Sequence, residues 1–71
     1  MSTFGRNLRA ARLALGLSQT ELGRRIGIPY NRISEIENNR ANPTIDRMEK
    51  LAEAVGSTVS HLTRDNTDSK N

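Results

Sequence analysis

The sequence predicts an all-α fold of five short helices in one domain. Three observations point to it. Apolar residues recur at helical spacing, and no stretch alternates apolar and polar residues as a half-buried strand would. Thr3, Ser18, Thr44 and Thr58, all residue types that cap helix N-termini, stand before these stretches. Gly16, Gly27 and Gly56 follow them, where a left-handed residue closes a helix.

The first helix is expected over residues 4–15, with Phe4, Leu8, Ala11 and Leu15 as its buried stripe and Thr3 as its N-cap. The second opens on Ser18-Gln19-Thr20-Glu21, a capping box in which Ser18 and Glu21 serve each other's backbone N–H. Leu17 and Leu22 flank that box as a hydrophobic staple, and Gly27 ends the helix. The third begins near Pro29 or Tyr30, because proline tolerates a first helical turn. It buries Ile33 and Ile36 and ends near Asn38, with Asn39 as a left-handed residue. Residues 40–43 form a loop. The fourth helix runs from its cap Thr44 to about Val55, with Ile45, Met48, Leu51, Ala52 and Val55 inward. Thr58 caps a short fifth helix carrying Val59 and Leu62. Residues 1–62 are thus the domain, and the polar residues 63–71 are expected to be a disordered tail.

Composition narrows the function. A chain of 71 residues buries only about 60% of its extended surface and is marginally stable alone. It has no cysteine, so no disulfide or Cys-ligated metal can staple it. Phe4 and Tyr30 are its two aromatic residues, so aliphatic side chains must fill the core. No apolar run approaches the roughly 18 residues that span a bilayer, and the start lacks the pattern of a signal peptide. A cytoplasmic, nucleoid-associated protein without a membrane partner is expected. His61 is the single histidine, and no carboxylate set converges on it in sequence. The chain therefore reads as a non-enzyme with no cofactor, no metal and no small-molecule ligand.

The net charge of +3 is uneven. Residues 1–45 carry seven Arg against Glu21, Glu35 and Glu37, whereas residues 46–71 are slightly acidic. Arginine forks suit phosphate, although a plain solvated surface has the same composition.

The second and third helices meet at Gly27, with the small Gly23 where they must touch. That layout is a helix-turn-helix, whose second helix can enter a DNA major groove. At about 100° per residue, Tyr30, Asn31, Ser34, Glu35 and Asn38 fall on one side of the third helix and Ile33 and Ile36 on the other. The polar side has directional hydrogen-bonding groups suited to base edges. Asn31 can pair with adenine, and Glu35 can accept from cytosine or else pair with the neighbouring Arg32. Tyr30 can touch a thymine methyl or a phosphate, and Ser34 contributes if the helix lies deep. Phosphate contacts are expected from Gln19, in the first turn of the second helix, and from Arg32, Asn38, Arg40 and Asn42.

Gly16-Leu17-Ser18-Gln19-x-Glu21-Leu22, Gly27, Ile33-Ser34-x-Ile36-Glu37-x-x-Arg40-x-x-Pro43, Leu51-Ala52 and Val55-Gly56 together resemble the Cro/repressor (XRE-type) helix-turn-helix family over residues 4–62. The resemblance implies a five-helix, lambda-repressor-like fold that binds a partly palindromic double-stranded DNA operator, usually as a dimer. It implies a phosphate-clamping role for Gln19 and base reading by Tyr30, Asn31 and Glu35. Asn38 and Arg40 match the backbone-contacting stretch, and Arg12 and Glu37 match a frequent ion pair. Three positions depart from the family: Pro29 for a serine-type cap, Asn39 for glycine, and Gly23 for alanine, the last expected to weaken helix two by up to about 1 kcal/mol.

A dimeric repressor or autoregulatory controller is the expectation. Val59 and Leu62 either line the homodimer interface or close the core. The alternative is the antitoxin of a toxin–antitoxin pair, binding a toxin as well as its own operator. A second protein partner, toxin or polymerase subunit, stays open.

Overall fold

The computed structural model describes residues 3–64. Five helices follow in order: α1 Phe4–Ala14, α2 Gln19–Ile26, α3 Tyr30–Glu37, α4 Ile45–Ala54 and α5 Val59–Leu62. No strand occurs among the described residues. None of their helices is long and apolar enough to cross a membrane.

Local chemistry sets most of the boundaries. The Ser18 hydroxyl accepts from the Glu21 N–H at 3.0 Å, and the Glu21 carboxylate accepts from the Ser18 N–H at 2.8 Å. Two of the first orphan donors of α2 are thereby satisfied. Thr44 and Thr58 accept from the N–H groups of Arg47 and His61 in the same way. Thr3 does not cap α1. Its backbone is already helical, and its hydroxyl donates instead to the Thr63 carbonyl at 3.0 Å, so a long-range partner displaces the local one.

α3 closes through Asn39, whose φ is 60°. The Asn39 N–H donates to the Ile36 carbonyl and the Arg40 N–H to the Glu35 carbonyl at 2.8 Å, the paired bonds of a Schellman ending. That ending fixes where Arg40 leaves the helix.

The core is aliphatic around one ring: Phe4 and Leu8 from α1, Leu22 from α2, Ile33 and Ile36 from α3, Leu51, Ala52 and Val55 near α4, and Leu62 from α5. Each fully buried Leu, Ile or Phe contributes about 1.5–3 kcal/mol. Two residues assigned to inward stripes lie outside instead. Leu15 is 54% exposed because it caps α1 beyond its last packed turn, and Arg12 fills the inward place one turn earlier. Ile45 is 64% exposed because it opens α4 ahead of the turn that reaches the core.

Leu62 is only 2% exposed within its own chain, so it has no surface to give to a second copy; Val59 is half-buried. Asn7 fastens this end of the fold to α1. Its carboxamide donates to the Leu62 carbonyl at 2.8 Å and the Arg64 carbonyl at 3.0 Å. These bonds carry the packed structure as far as Arg64. The remainder of the expected tail, residues 65–71, lies outside the described residues.

Candidate nucleic-acid interface

The turn between α2 and α3 is built on Gly23 and Gly27. Gly27 has φ 81°, a conformation that side chains rarely adopt. The N–H groups of Gly27 and Ile28 both donate to the Gly23 carbonyl, at 2.7 and 2.9 Å. Pro29 follows in extended geometry and starts α3 without a side-chain cap. α3 is thus launched across α2 with Ile33 and Ile36 buried against the core.

The opposite flank of α3 faces solvent. Tyr30 is 58% exposed, and Asn31, Arg32, Glu35 and Asn38 are exposed as well. Ser34 is half-buried. Three of these polar side chains are partly engaged within the helix. The Asn38 carboxamide donates to the Ser34 carbonyl at 2.9 Å, and Arg32 Nε lies 3.5 Å from Glu35 Oε1. An exposed pair of that kind contributes little to stability and is readily exchanged for another partner.

Beyond α3, Arg40 and Asn42 are exposed on the loop. A cleft of about 140 Å³ opens between α3 and the start of α4, lined by Arg32, Asn42, Thr44 and Arg47 among others. Arg47 was not singled out from the sequence. Its signal was its position, three residues past the cap Thr44, which sets it on the first turn of α4.

The inner end of α3 is held by charge. Arg12 Nε donates to Glu37 Oε2 at 2.7 Å, and Arg12 Nη2 to Glu37 Oε1 at 3.0 Å. The third arm of the fork, Nη1, donates to the Leu17 carbonyl at 2.8 Å in the turn before α2. Hydrogen bonding to Glu37 raises the Arg12 pKa against the opposing effect of burial. Gln19 Nε2 also donates to Glu37 Oε1, at 3.1 Å. Gln19 and Glu37 are 18 residues apart, so no local pattern in the sequence links them. A close approach tightens the same corner: a Cβ built on Gly5 would overlap the Ile36 carbonyl oxygen and lie 3.1 Å from that of Glu37.

Residues 8–62, the span that holds this turn, both its helices and most of the core around them, match the Helix-turn-helix family. The chain belongs to the helix-turn-helix family of XRE-type DNA-binding transcriptional regulators. This helix-turn-helix protein is 38% identical over 58 residues to the uncharacterized HTH-type transcriptional regulator y4dJ of Sinorhizobium fredii, an alignment covering 82% of this chain and 73% of that one. Its fold is similar to that of the hypothetical transcription factor NHTF from Neisseria, with TM-score 0.87 and 30% identity over 94% of this chain and 77% of that one. It is similar also to the P22 c2 repressor, solved in complex with synthetic operator 9T, with TM-score 0.82 and 25% identity over 90% of this chain and 97% of that one. The helix-turn-helix family is a class of DNA-binding regulators, not of enzymes. Among the described residues no group of three or more His, Cys, Asp or Glu side chains is arranged to hold a metal ion.

Proposed function

We propose that this protein is a sequence-specific repressor or autoregulatory controller that binds a partly palindromic operator as a homodimer, with α3 in the major groove. One observation carries the proposal: the polar flank from Tyr30 to Asn38 stands open while Ile33 and Ile36 anchor its back. Tyr30, Asn31, Ser34 and Glu35 take the base edges. Asn31 suits adenine, and Glu35 suits the amino group of cytosine once it leaves Arg32. Ser34 reaches a base only if α3 lies deep in the groove, because it is half-buried.

Gln19, Arg32, Asn38, Arg40 and Asn42 take phosphate oxygens along the rim and fix register without reading sequence. Such a partner implies work at the nucleoid, in the cytoplasm. Val59 with the outward residues of α5 forms the seam between copies, Leu62 being committed to the core.

Selection of bound sites from random duplex DNA tests this directly. The expected product is a motif with two related half-sites whose centres lie about 34 Å apart, one helical turn. A single unsymmetric motif would remove the dimer, and recovery of no motif would remove sequence-specific reading.

A further inference from the structure

Glu37 joins three parts of the interface at one carboxylate: Arg12 on α1, Gln19 at the start of α2, and its own helix α3. Its side chain is 1% exposed, so it cannot touch DNA itself. We propose that Glu37 is a positioning residue for DNA-backbone binding that acts through Gln19, an inference that rests on the phosphate role of Gln19 proposed above.

A carboxylate only accepts hydrogen bonds, so the face of the Gln19 carboxamide turned to it must be the NH2. One Nε2 hydrogen is taken by Glu37 Oε1 at 3.1 Å. The amide is planar and its two hydrogens diverge, so the second is held away from Glu37 as a ready donor. With the amide reversed, an oxygen would stand in that place and repel a phosphate. Glu37 therefore selects which end of Gln19 an anion meets. Arg12 completes the device in two ways. Its fork compensates the negative charge that would otherwise oppose a nearby phosphate, and it holds the carboxylate at the right angle. The turn before α2 is fixed by the same guanidinium through Leu17. Gln19 also lies in the first turn of α2, the helix end whose dipole favours an anion.

The test compares two paired variants of the full chain on the selected operator: Arg12→Met with Glu37→Gln, and Arg12→Met with Glu37→Met. Both remove the buried ion pair at similar volume, but only Gln keeps an acceptor for Gln19. The Glu37→Met pair should bind about tenfold more weakly than the Glu37→Gln pair, the equivalent of one hydrogen bond. The difference should vanish once Gln19→Ala is added to each. A purely structural role predicts a difference that persists in the Gln19→Ala background, and that result would overturn the proposal, as would equal binding by the two pairs. If Gln19→Ala alone leaves the affinity of the unaltered chain unchanged, the phosphate role of Gln19 falls and takes the proposal with it.

Should either pair fail to fold, the side-chain amide NMR signals of Gln19 in the unaltered chain decide. On addition of operator DNA one hydrogen should move while the other keeps its bond to Glu37. Loss of that bond on binding contradicts the assignment.

Discussion

Gly23 and Ile28 approach so closely that a Cβ on Gly23 would overlap the Ile28 carbonyl oxygen. Both groups are backbone, held by the bonds of Gly27 and Ile28 to Gly23, so neither can swing aside as a flexible side chain would. Family resemblance alone makes Gly23 look like a small loss of helix propensity. In this chain it is a packing requirement.

Gly23→Ala should therefore destabilise the fold by about 1–3 kcal/mol despite the gain of up to about 1 kcal/mol in helix propensity. Chemical denaturation of the two proteins checks the sign. Equal or greater stability of the alanine variant would mean that the turn relaxes freely.

The capping box should leave a pH signature. Hydrogen bonding from the Ser18 backbone N–H, then from the Ser18 side chain, lowers the Glu21 pKa, with Arg25 and Arg24 adding to the effect. A depressed folded-state value means that the native state favours the carboxylate. Its stabilisation is complete above the ordinary carboxylate range and is lost as pH falls through that range to the depressed value. Glu21→Gln keeps the reach to the Ser18 N–H but not the charge. Its melting temperature should lie below that of the unaltered protein at neutral pH, and the gap should close in acid.

Asn7→Ala should release the end of the fold rather than its centre. Both carboxamide bonds, to Leu62 and Arg64, would be lost, and the net cost should be about 1–2 kcal/mol. Hydrogen exchange should accelerate at the amides of Leu62, Thr63 and Arg64 while those of α2 and α3 keep their protection.

Rim and groove residues should separate by the kind of loss they cause. Arg40→Ala should weaken binding on all duplexes alike and flatten the salt dependence by about one phosphate contact. Asn31→Ala should change the preferred base at its position, with a cost of about 1–3 kcal/mol on the original site. Repeating the site selection with each variant distinguishes the two.

What the sequence made legible was local. Ser18 with Glu21, Thr44, Thr58 and the glycines each act within a few residues of themselves, so spacing alone placed the five helices closely. The open polar flank of α3 followed from the same periodicity. Tertiary competition was not legible. Thr3 has the chemistry of a cap, but the Thr63 carbonyl, distant in sequence and adjacent in space, claims its hydroxyl. Leu15 and Ile45 fit their stripes by period but occupy helix ends that the core does not reach. Gly5, unremarked in the sequence, is where α1 meets the end of α3. At the site, the engagement of Gln19 by Glu37 is long-range and no residue spacing encodes it, whereas that of Asn38 by Ser34 is an i, i+4 contact of the kind helical periodicity allows.

The contact at Gly5 makes α3 a lever. Its fulcrum is the carbonyl end, at Ile36 and Glu37, and Tyr30 stands at the far tip, about 10 Å away at 1.5 Å per residue. A methyl on Gly5 would meet backbone at that pivot, so α1 and the end of α3 could not keep their present approach, and any tilt of α3 there would reach Tyr30 magnified.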